Sequence, residues 1–145
     1  MVELLLIVRL AGRRVALPAA DVEAVVELEG LTKVPGAAHH IAGLSALRSR
    51  VLTVIDSWVA LGLEDEAEVG STEAIVVPSG GHTYALLLEQ VEDVVEAKGP
   101  PVPFKACPGE GWSRVSSGMV EAGEDLLLLV DPHALIAGLP LEEAA

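Results

Sequence analysis

The chain has 145 residues, 51% hydrophobic but only 3% aromatic, which fits one ordinary domain or two very small ones. Its net charge of −13 argues against a nucleic-acid partner, because the phosphate backbone attracts basic surfaces. The single cysteine, Cys107, excludes an intramolecular disulfide, and no apolar run approaches the roughly 20 residues of a membrane span. We therefore expect a cytoplasmic protein without direct membrane insertion.

Short apolar segments separated by turn residues predict strands along most of the chain. In the first half, strands are predicted at 4–10, 13–17, 21–28, 41–47 and 51–55, followed by a helical turn at 57–63. In the second half, strands are predicted at 73–77, 82–88, 91–97, 113–120 and 126–130, followed by a short helix at 132–138. The segment 100–111 is rich in proline and glycine and is predicted to be a loop.

The two halves repeat each other. Between residues 12 and 27, eight of sixteen positions are identical to the residues 69 positions later. The match resumes at an offset of 75, where Gly43 meets Gly118 and Asp56 meets Asp131, so the second half holds six extra residues. Ordinary residue frequencies would give about one or two identities over sixteen positions. The chain is therefore predicted to contain two copies of one unit.

The repeat and the charge together divide the chain. Residues 1–63 carry six basic and six acidic side chains, whereas residues 64–145 carry three basic and sixteen acidic ones. We take 1–63 and 72–139 as two halves of a single domain, 64–71 as an acidic linker and 140–145 as a tail. The predicted fold is all-β, with two five-stranded SH3-like barrels packed together and a short helix after each. The acidity is explained most simply by solubility, and a basic partner surface is the alternative.

Several segments resemble the CheW family of chemotaxis coupling proteins, over nearly the whole chain. Residues 15–18 and 21–25 are similar to the end of the family's first hairpin and its valine-rich strand. Residues 41–56 resemble its pattern I-x-G-L-x-N-L-R-G followed by V-I-D, and residues 88–94 resemble V-D-x-V-x-x-V. The resemblance implies a non-catalytic adaptor that couples methyl-accepting chemoreceptors to a CheA-type histidine kinase, located in the cytoplasm at membrane receptor arrays.

One departure from the family pattern concerns an ion pair. The arginine of the Leu-Arg motif is Arg48, and the glutamate that the family places opposite it is Ala24 here. Glu23 and Glu27 are candidate substitutes, although strand alternation puts both on the face opposite residue 24. Ala46, Ser49 and Thr53 replace the usual Asn, Gly and Pro.

The resemblance also implies the partner-binding residues. In the family, one barrel engages a barrel-type domain of the kinase, and the groove between the halves engages the receptor tip. The residues assigned to these contacts are Arg48, Gly43, Val22, Ala24, Val25, Leu47 and Val94. Gly43 and Gly118 are also expected to mark a bulge or a close backbone approach. Val22, Val25, Val91 and Val94 are expected to lie in the core or on a sheet face, with contact in the groove between the halves as the alternative.

The alternatives are a CheW-like adaptor of a twitching or other non-flagellar system, and a small ligand-binding barrel or enzyme. The enzyme hypothesis rests on His39, His40 and Asp56. Adjacent histidines point in different directions and no third ligand is near in sequence, while Asp56 and Asp131 each precede a short helix and are explained as N-caps. His82 and His133 are isolated in the sequence. We therefore predict no catalytic residue, no metal site and no cofactor.

Overall fold

The computed structural model describes residues 3–28, 30–38, 40–47, 50–62, 73–104, 106 and 108–138. The predicted linker 64–71 and tail 140–145 lie outside them. The strands are β1 (Leu4–Leu10), β2 (Arg13–Pro18), β3 (Ala24–Glu27), β4 (Ile41–Leu47), β5 (Arg50–Ile55), β6 (Glu73–Ser79), β7 (His82–Leu87), β8 (Gln90–Glu96), β9 (Ser116–Ala122) and β10 (Asp125–Val130). The helices are α1 (Ser57–Ala60), α2 (Glu110–Val115) and α3 (Pro132–Ala137), with a 3-10 turn at Ala19–Asp21. None of these helices is long and apolar enough to cross a membrane.

The strands form two five-stranded sheets. Sheet A has the order β8-β1-β2-β10-β9, and sheet B has the order β3-β6-β7-β5-β4. In sheet A the segment after β8 bridges β9 from Ala97 and from Val102, and in sheet B the segment after β3 bridges β4 from Thr32. The predicted all-β fold with two five-stranded units is confirmed. Among the described residues these isolated bridges, and no continuous ladder, join the two edges of each sheet.

Each sheet combines strands of both sequence repeats. Sheet A joins the hairpin β1–β2 to β8, β9 and β10, whereas sheet B joins the hairpin β6–β7 to β3, β4 and β5. Repeat-equivalent strands occupy equivalent places, and the registers agree: Ala16 pairs with Leu129 in sheet A, as Ala85 pairs with Val54 in sheet B. The division at 1–63 and 72–139 therefore describes the repeat in the sequence and does not separate the two sheets.

Each hairpin lies within a sheet that is completed by strands of the other repeat, because both hairpins bury apolar side chains on their two faces. In β1, Leu6 and Val8 point into a central core between the sheets, while Leu5 and Ile7 point into the interior of sheet A. In β6, Ile75 points into the central core, and its neighbours face the interior of sheet B. A strand that is covered on both faces reads as a continuous apolar run, as observed in 4–8.

Helix α2 is a feature that the sequence analysis did not predict. Residues 113–120 were expected to be one strand and 100–111 a loop, but α2 spans Glu110–Val115 and β9 begins only at Ser116. Trp112 and Val115, three residues apart, are buried in the central core. Arg114 donates hydrogen bonds to the carbonyls of Ala60, at 2.7 Å, and Gly138, at 3.0 Å. Tertiary contacts thus form a helix from residues of low helix propensity, including glycine and serine.

The other two helices follow the prediction with small differences. Helix α1 ends at Ala60 instead of Leu63, which lies outside the described residues. Its N-cap is Asp56, since the Asp56 Oδ1 accepts hydrogen bonds from the backbone N–H groups of residues 58 and 59. Ser57 is the first helical residue and is fully buried.

Gly43 and Gly118 occupy equivalent positions in β4 and β9, where the backbone of another segment approaches closely. A Cβ atom at Gly43 would lie 2.5 Å from the carbonyl oxygen of Thr32, and one at Gly118 would lie 2.5 Å from that of Val102. Both glycines also have positive φ, 154° and 143°. The expected close backbone approach is confirmed, and it is what allows the segments after β3 and β8 to bridge β4 and β9.

We expect Gly118→Ala to lower the free energy of unfolding by about 2 kcal/mol, because the new methyl group must push the backbone at Val102 away from β9. Gly99→Ala is the matched control, since a Cβ there meets no atom within 4 Å. It should change stability by less than about 0.5 kcal/mol. Urea denaturation of both variants measures the difference, and equal stabilities would contradict the role given to Gly118.

Candidate functional site

The assigned partner-binding residues lie mainly on the two edge strands of sheet B. Val22 precedes β3, Ala24 and Val25 lie on β3, Gly43 and Leu47 lie on β4, and Val94 lies on β8, an edge strand of sheet A. Arg48 lies outside the described residues. An edge strand leaves one row of backbone groups without a neighbouring strand, which makes it accessible to another chain.

Val25 and Val94 are exposed apolar side chains at equivalent positions. Val25 pairs with Ile75 and Val94 pairs with Leu6, and both of these partners belong to the central core. Paired residues of an antiparallel ladder share a face. The two valines therefore point toward the side of the central core, yet they remain 44% and 52% exposed because β3 and β8 are edge strands.

Val22 and Val91 lie three residues before these exposed valines in the sequence. Both are partly buried and pack against the central core. We refer to Val22, Val25, Val91 and Val94 as the rim valines. Core or sheet-face positions were expected for all four: Val22 and Val91 pack against the core, and Val25 and Val94 are exposed on the sheet face.

Gly43 and Leu47 have largely structural contacts. A Cβ at Gly43 would also lie 3.1 Å from the side chain of Leu31, so that leucine lies over the glycine. Leu47 is partly buried and packs against the interior of sheet B. Ala24 is exposed. It pairs with Val76, whose side chain belongs to the interior of sheet B.

An ion pair does form near the position where the family pattern places one, but with different residues. The Arg50 guanidinium lies 3.2 Å from a carboxylate oxygen of Glu23 and 2.9 Å from the Thr83 hydroxyl. Of the two acidic candidates proposed as partners for Arg48, Glu23 thus pairs with Arg50, at the start of β5. Both side chains are about half exposed, so the pair contributes about 0.2–1 kcal/mol to stability.

At the repeat-equivalent place in sheet A an ion pair also forms, but the arginine lies on a different strand. There Arg14, on the hairpin, pairs with Glu92 on β8 and Asp125 on β10. Hydrogen bonds to Asp125 and to Glu92 raise the pKa of Arg14. Glu92 is the repeat equivalent of Glu23, and Asp125 is the equivalent of Arg50, so the strand start that is basic in sheet B is acidic in sheet A.

Exposed apolar residues that the sequence analysis did not single out extend the surface of sheet B. Val51 is 66% exposed beside Arg50, Leu31 is 48% exposed and Val34 is 39% exposed. Alternation along β5 indicates that Val51 is exposed, because Leu52 and Val54 point to the buried face and residue 51 points to the opposite one. For the two loop residues we find no comparable signal.

The residues considered for catalysis have structural contacts. Asp131 caps α3 as Asp56 caps α1, since its Oδ1 accepts a hydrogen bond of 3.0 Å from the N–H of His133. The His40 Nε2 lies 2.8 Å from the carbonyl oxygen of Ile136. His39 and Cys107 lie outside the described residues. The expected helix caps are confirmed.

His133 is isolated only in the sequence. Its Nε2 lies 3.7 Å from a carboxylate oxygen of Asp21, and its Nδ1 lies 3.0 Å from the Ser79 hydroxyl. These two partners come from distant parts of the chain, so the treatment of His133 as an isolated residue is corrected by the fold.

Comparisons with known proteins agree with this architecture. The sequence model of the CheW-like domain matches residues 4–139. The crystal structure of the scaffolding protein TtCheW from Thermoanaerobacter tengcongensis superposes with a TM-score of 0.72 at 21% sequence identity, covering 90% of this chain and 89% of that one. No curated protein matches the sequence.

The structural similarity, at this low identity, concerns the fold, whereas the family match extends over nearly the whole chain. CheW-like domains are non-catalytic scaffold domains, which confirms the prediction that the chain is not an enzyme. The chain belongs to the CheW-like domain family.

Proposed function

We propose that this protein couples methyl-accepting chemoreceptors to a CheA-type histidine kinase in chemotaxis signalling, as a scaffold at the cytoplasmic side of receptor arrays. The match of the CheW-like domain to residues 4–139 carries the proposal. The match includes every strand of both sheets. A scaffold of this kind needs at least two separate binding surfaces and no reactive side chains.

The rim valines are proposed to contact the receptor. A helical receptor tip presents apolar side chains at helical spacing, and such a surface binds best to a partly buried apolar surface bordered by polar residues. Val25 and Val94 supply exposed apolar area at equivalent places, and the charged groups of Glu23 and Glu92 lie two residues before them. Because each of these two valines is already about half buried, burial of the remaining area contributes about 1 kcal/mol.

The strand pair β4–β5 of sheet B is proposed to contact the kinase. This surface combines exposed Val51 with Arg50 and, by the resemblance, with Arg48. Arginine is enriched in protein interfaces because its planar guanidinium forms several directed hydrogen bonds over an apolar stem. The equivalent strand pair of sheet A carries acidic residues instead, so a kinase surface that fits β4–β5 would not fit β9–β10.

The alternative within the same class is an adaptor of a twitching or other non-flagellar chemosensory system. The two differ in the receptors and kinases they bind. Co-purification with the kinases and receptors encoded beside this protein distinguishes them.

We expect Arg48→Ala to weaken kinase or receptor binding by about 2 kcal/mol, roughly thirtyfold, because an interface arginine loses both hydrogen bonds and packing. Stability should change by about 0.5 kcal/mol or less. Lys98→Ala is the control, since it removes the same charge from an exposed position next to sheet A. Calorimetric titration and thermal melts of both variants check this, and a large loss of stability with unchanged affinity would show that Arg48 is structural.

A paired test separates the two proposed surfaces. We expect Val94→Asp to weaken receptor binding at least tenfold, about 1.4 kcal/mol, and to leave kinase binding unchanged, because it places a charge on the rim valines alone. Val51→Asp should do the reverse. Both residues are more than half exposed, so neither variant should lose much stability. Each variant is titrated with each partner separately; loss of the same partner in both variants would contradict the assignment of two surfaces.

A further inference from the structure

The N-terminal end of α3 brings together donor groups from three segments that are distant in the sequence. Asp21 ends the 3-10 turn after β2, Asp131 and His133 lie at the start of α3, and Ser79 ends β6. One oxygen or nitrogen atom from each of Asp21, Asp131 and His133 lies within 4.8 Å of the other two. We propose that Asp21, Asp131 and His133 form a binding site for a divalent transition-metal ion of the zinc class.

The histidine is held in an orientation that suits a ligand. Its Nδ1 lies 3.0 Å from the Ser79 hydroxyl, and its Nε2 faces Asp21 at 3.7 Å. The second distance is too long for an ordinary N–H···O hydrogen bond. Two ligand atoms that are each about 2.1 Å from a tetrahedral zinc ion lie about 3.4 Å apart, so the Nε2–Oδ1 separation is close to that of two ligands on one ion.

The start of α1 is the repeat equivalent of this place, and comparing the two shows which part of the arrangement is structural. At the same offsets, Asp131 corresponds to Asp56, which also caps a helix. The other three positions have no ligand there: Asp21, His133 and Ser79 correspond to Gln90, Trp58 and Leu10. Helix capping therefore explains the aspartate that both places share, and it does not explain the three donors that only one place has.

The chemistry of the donors selects the class of ion. One imidazole nitrogen and two carboxylates suit zinc and similar transition metals, whereas Ca²⁺ prefers six to eight oxygen ligands. Asp131 uses Oδ1 for the cap, and its second oxygen can act as a ligand. The two carboxylates balance the charge of a divalent ion. Ser79 orients the ring, as second-layer partners of metal-bound histidines commonly do.

A bound ion would connect the segment after β2 to α3 and to the end of β6. It would add polar ligation to segments that already meet through apolar packing, since Leu135 of α3, Val77 of β6 and Val22 belong to or pack against the central core. This inference does not depend on the proposed coupling function, since the site contains none of the rim valines and no residue of β4 or β5.

The test is calorimetric titration of the full-length protein with Zn²⁺ in a non-chelating buffer, with NMR of the histidine imidazoles as a second readout. We expect one ion per chain and a shift of the His133 signals. Asp21→Asn and His133→Gln should each weaken binding at least tenfold, and Ser79→Ala about tenfold. His82→Gln is the matched control, because His82 is an exposed histidine outside the cluster, and it should bind like the parent protein.

Thermal melts in EDTA separate ligation from folding. Asp21 and His133 are partly exposed, so the metal-free variants should melt close to the metal-free parent, and only the parent and His82→Gln should gain stability when zinc is added. Absence of zinc binding by the parent, or binding that persists in both Asp21→Asn and His133→Gln, would overturn the proposal.

Discussion

The burial of the hairpins β1–β2 and β6–β7 on both faces is the constraint on which the rest of the structure depends. A hairpin with apolar side chains on both faces cannot be covered by one sheet. Each hairpin therefore lies inside one sheet and forms the central core with the other. Because the three remaining strands of each sheet come from the opposite repeat, the two sheets depend on each other for their strands as well as for their packing.

This arrangement determines which strands can meet a partner. The hairpins lie at the centre of the molecule, and β3, β4, β8 and β9 are left at the sheet edges. The exposure of Val25 on β3 and Val94 on β8 follows from that placement. Their pairing partners Ile75 and Leu6 lie on inner strands and are buried, whereas the two valines lie on edge strands and stay exposed. The two sheets thus present the same kind of edge, with one half-exposed valine on each.

The two repeats have kept one backbone and diverged in their surfaces. The polar triad of Arg50, Glu23 and Thr83 in sheet B corresponds to Asp125, Glu92 and Arg14 in sheet A. The arginine and its partners therefore occupy different positions in the two sheets, and the neutral Thr83 is replaced by the charged Arg14. The helix caps Asp56 and Asp131 are shared, but only the second has Asp21 and His133 beside it. The two sides therefore differ in surface charge, while the shared strand order and the equivalent glycines Gly43 and Gly118 preserve the fold.

The strands other than the start of β9, the repeat, the two caps and the family could all be predicted from the residues, because alternation, a fixed offset and short motifs are local signals. The sequence also placed Gly43 and Gly118 at a close backbone approach. Which hairpin joins which sheet is visible only in the folded chain, because the strand pairings concerned span from 31 residues (Thr53 with Tyr84) to 113 residues (Ala16 with Leu129) and leave no local signal. The same holds for helix α2, which is stabilised by the burial of Trp112 and not by helix propensity. It also holds for the Arg50–Glu23 pair and for the contact of His133 with Asp21, because folding brings these side chains together from distant segments.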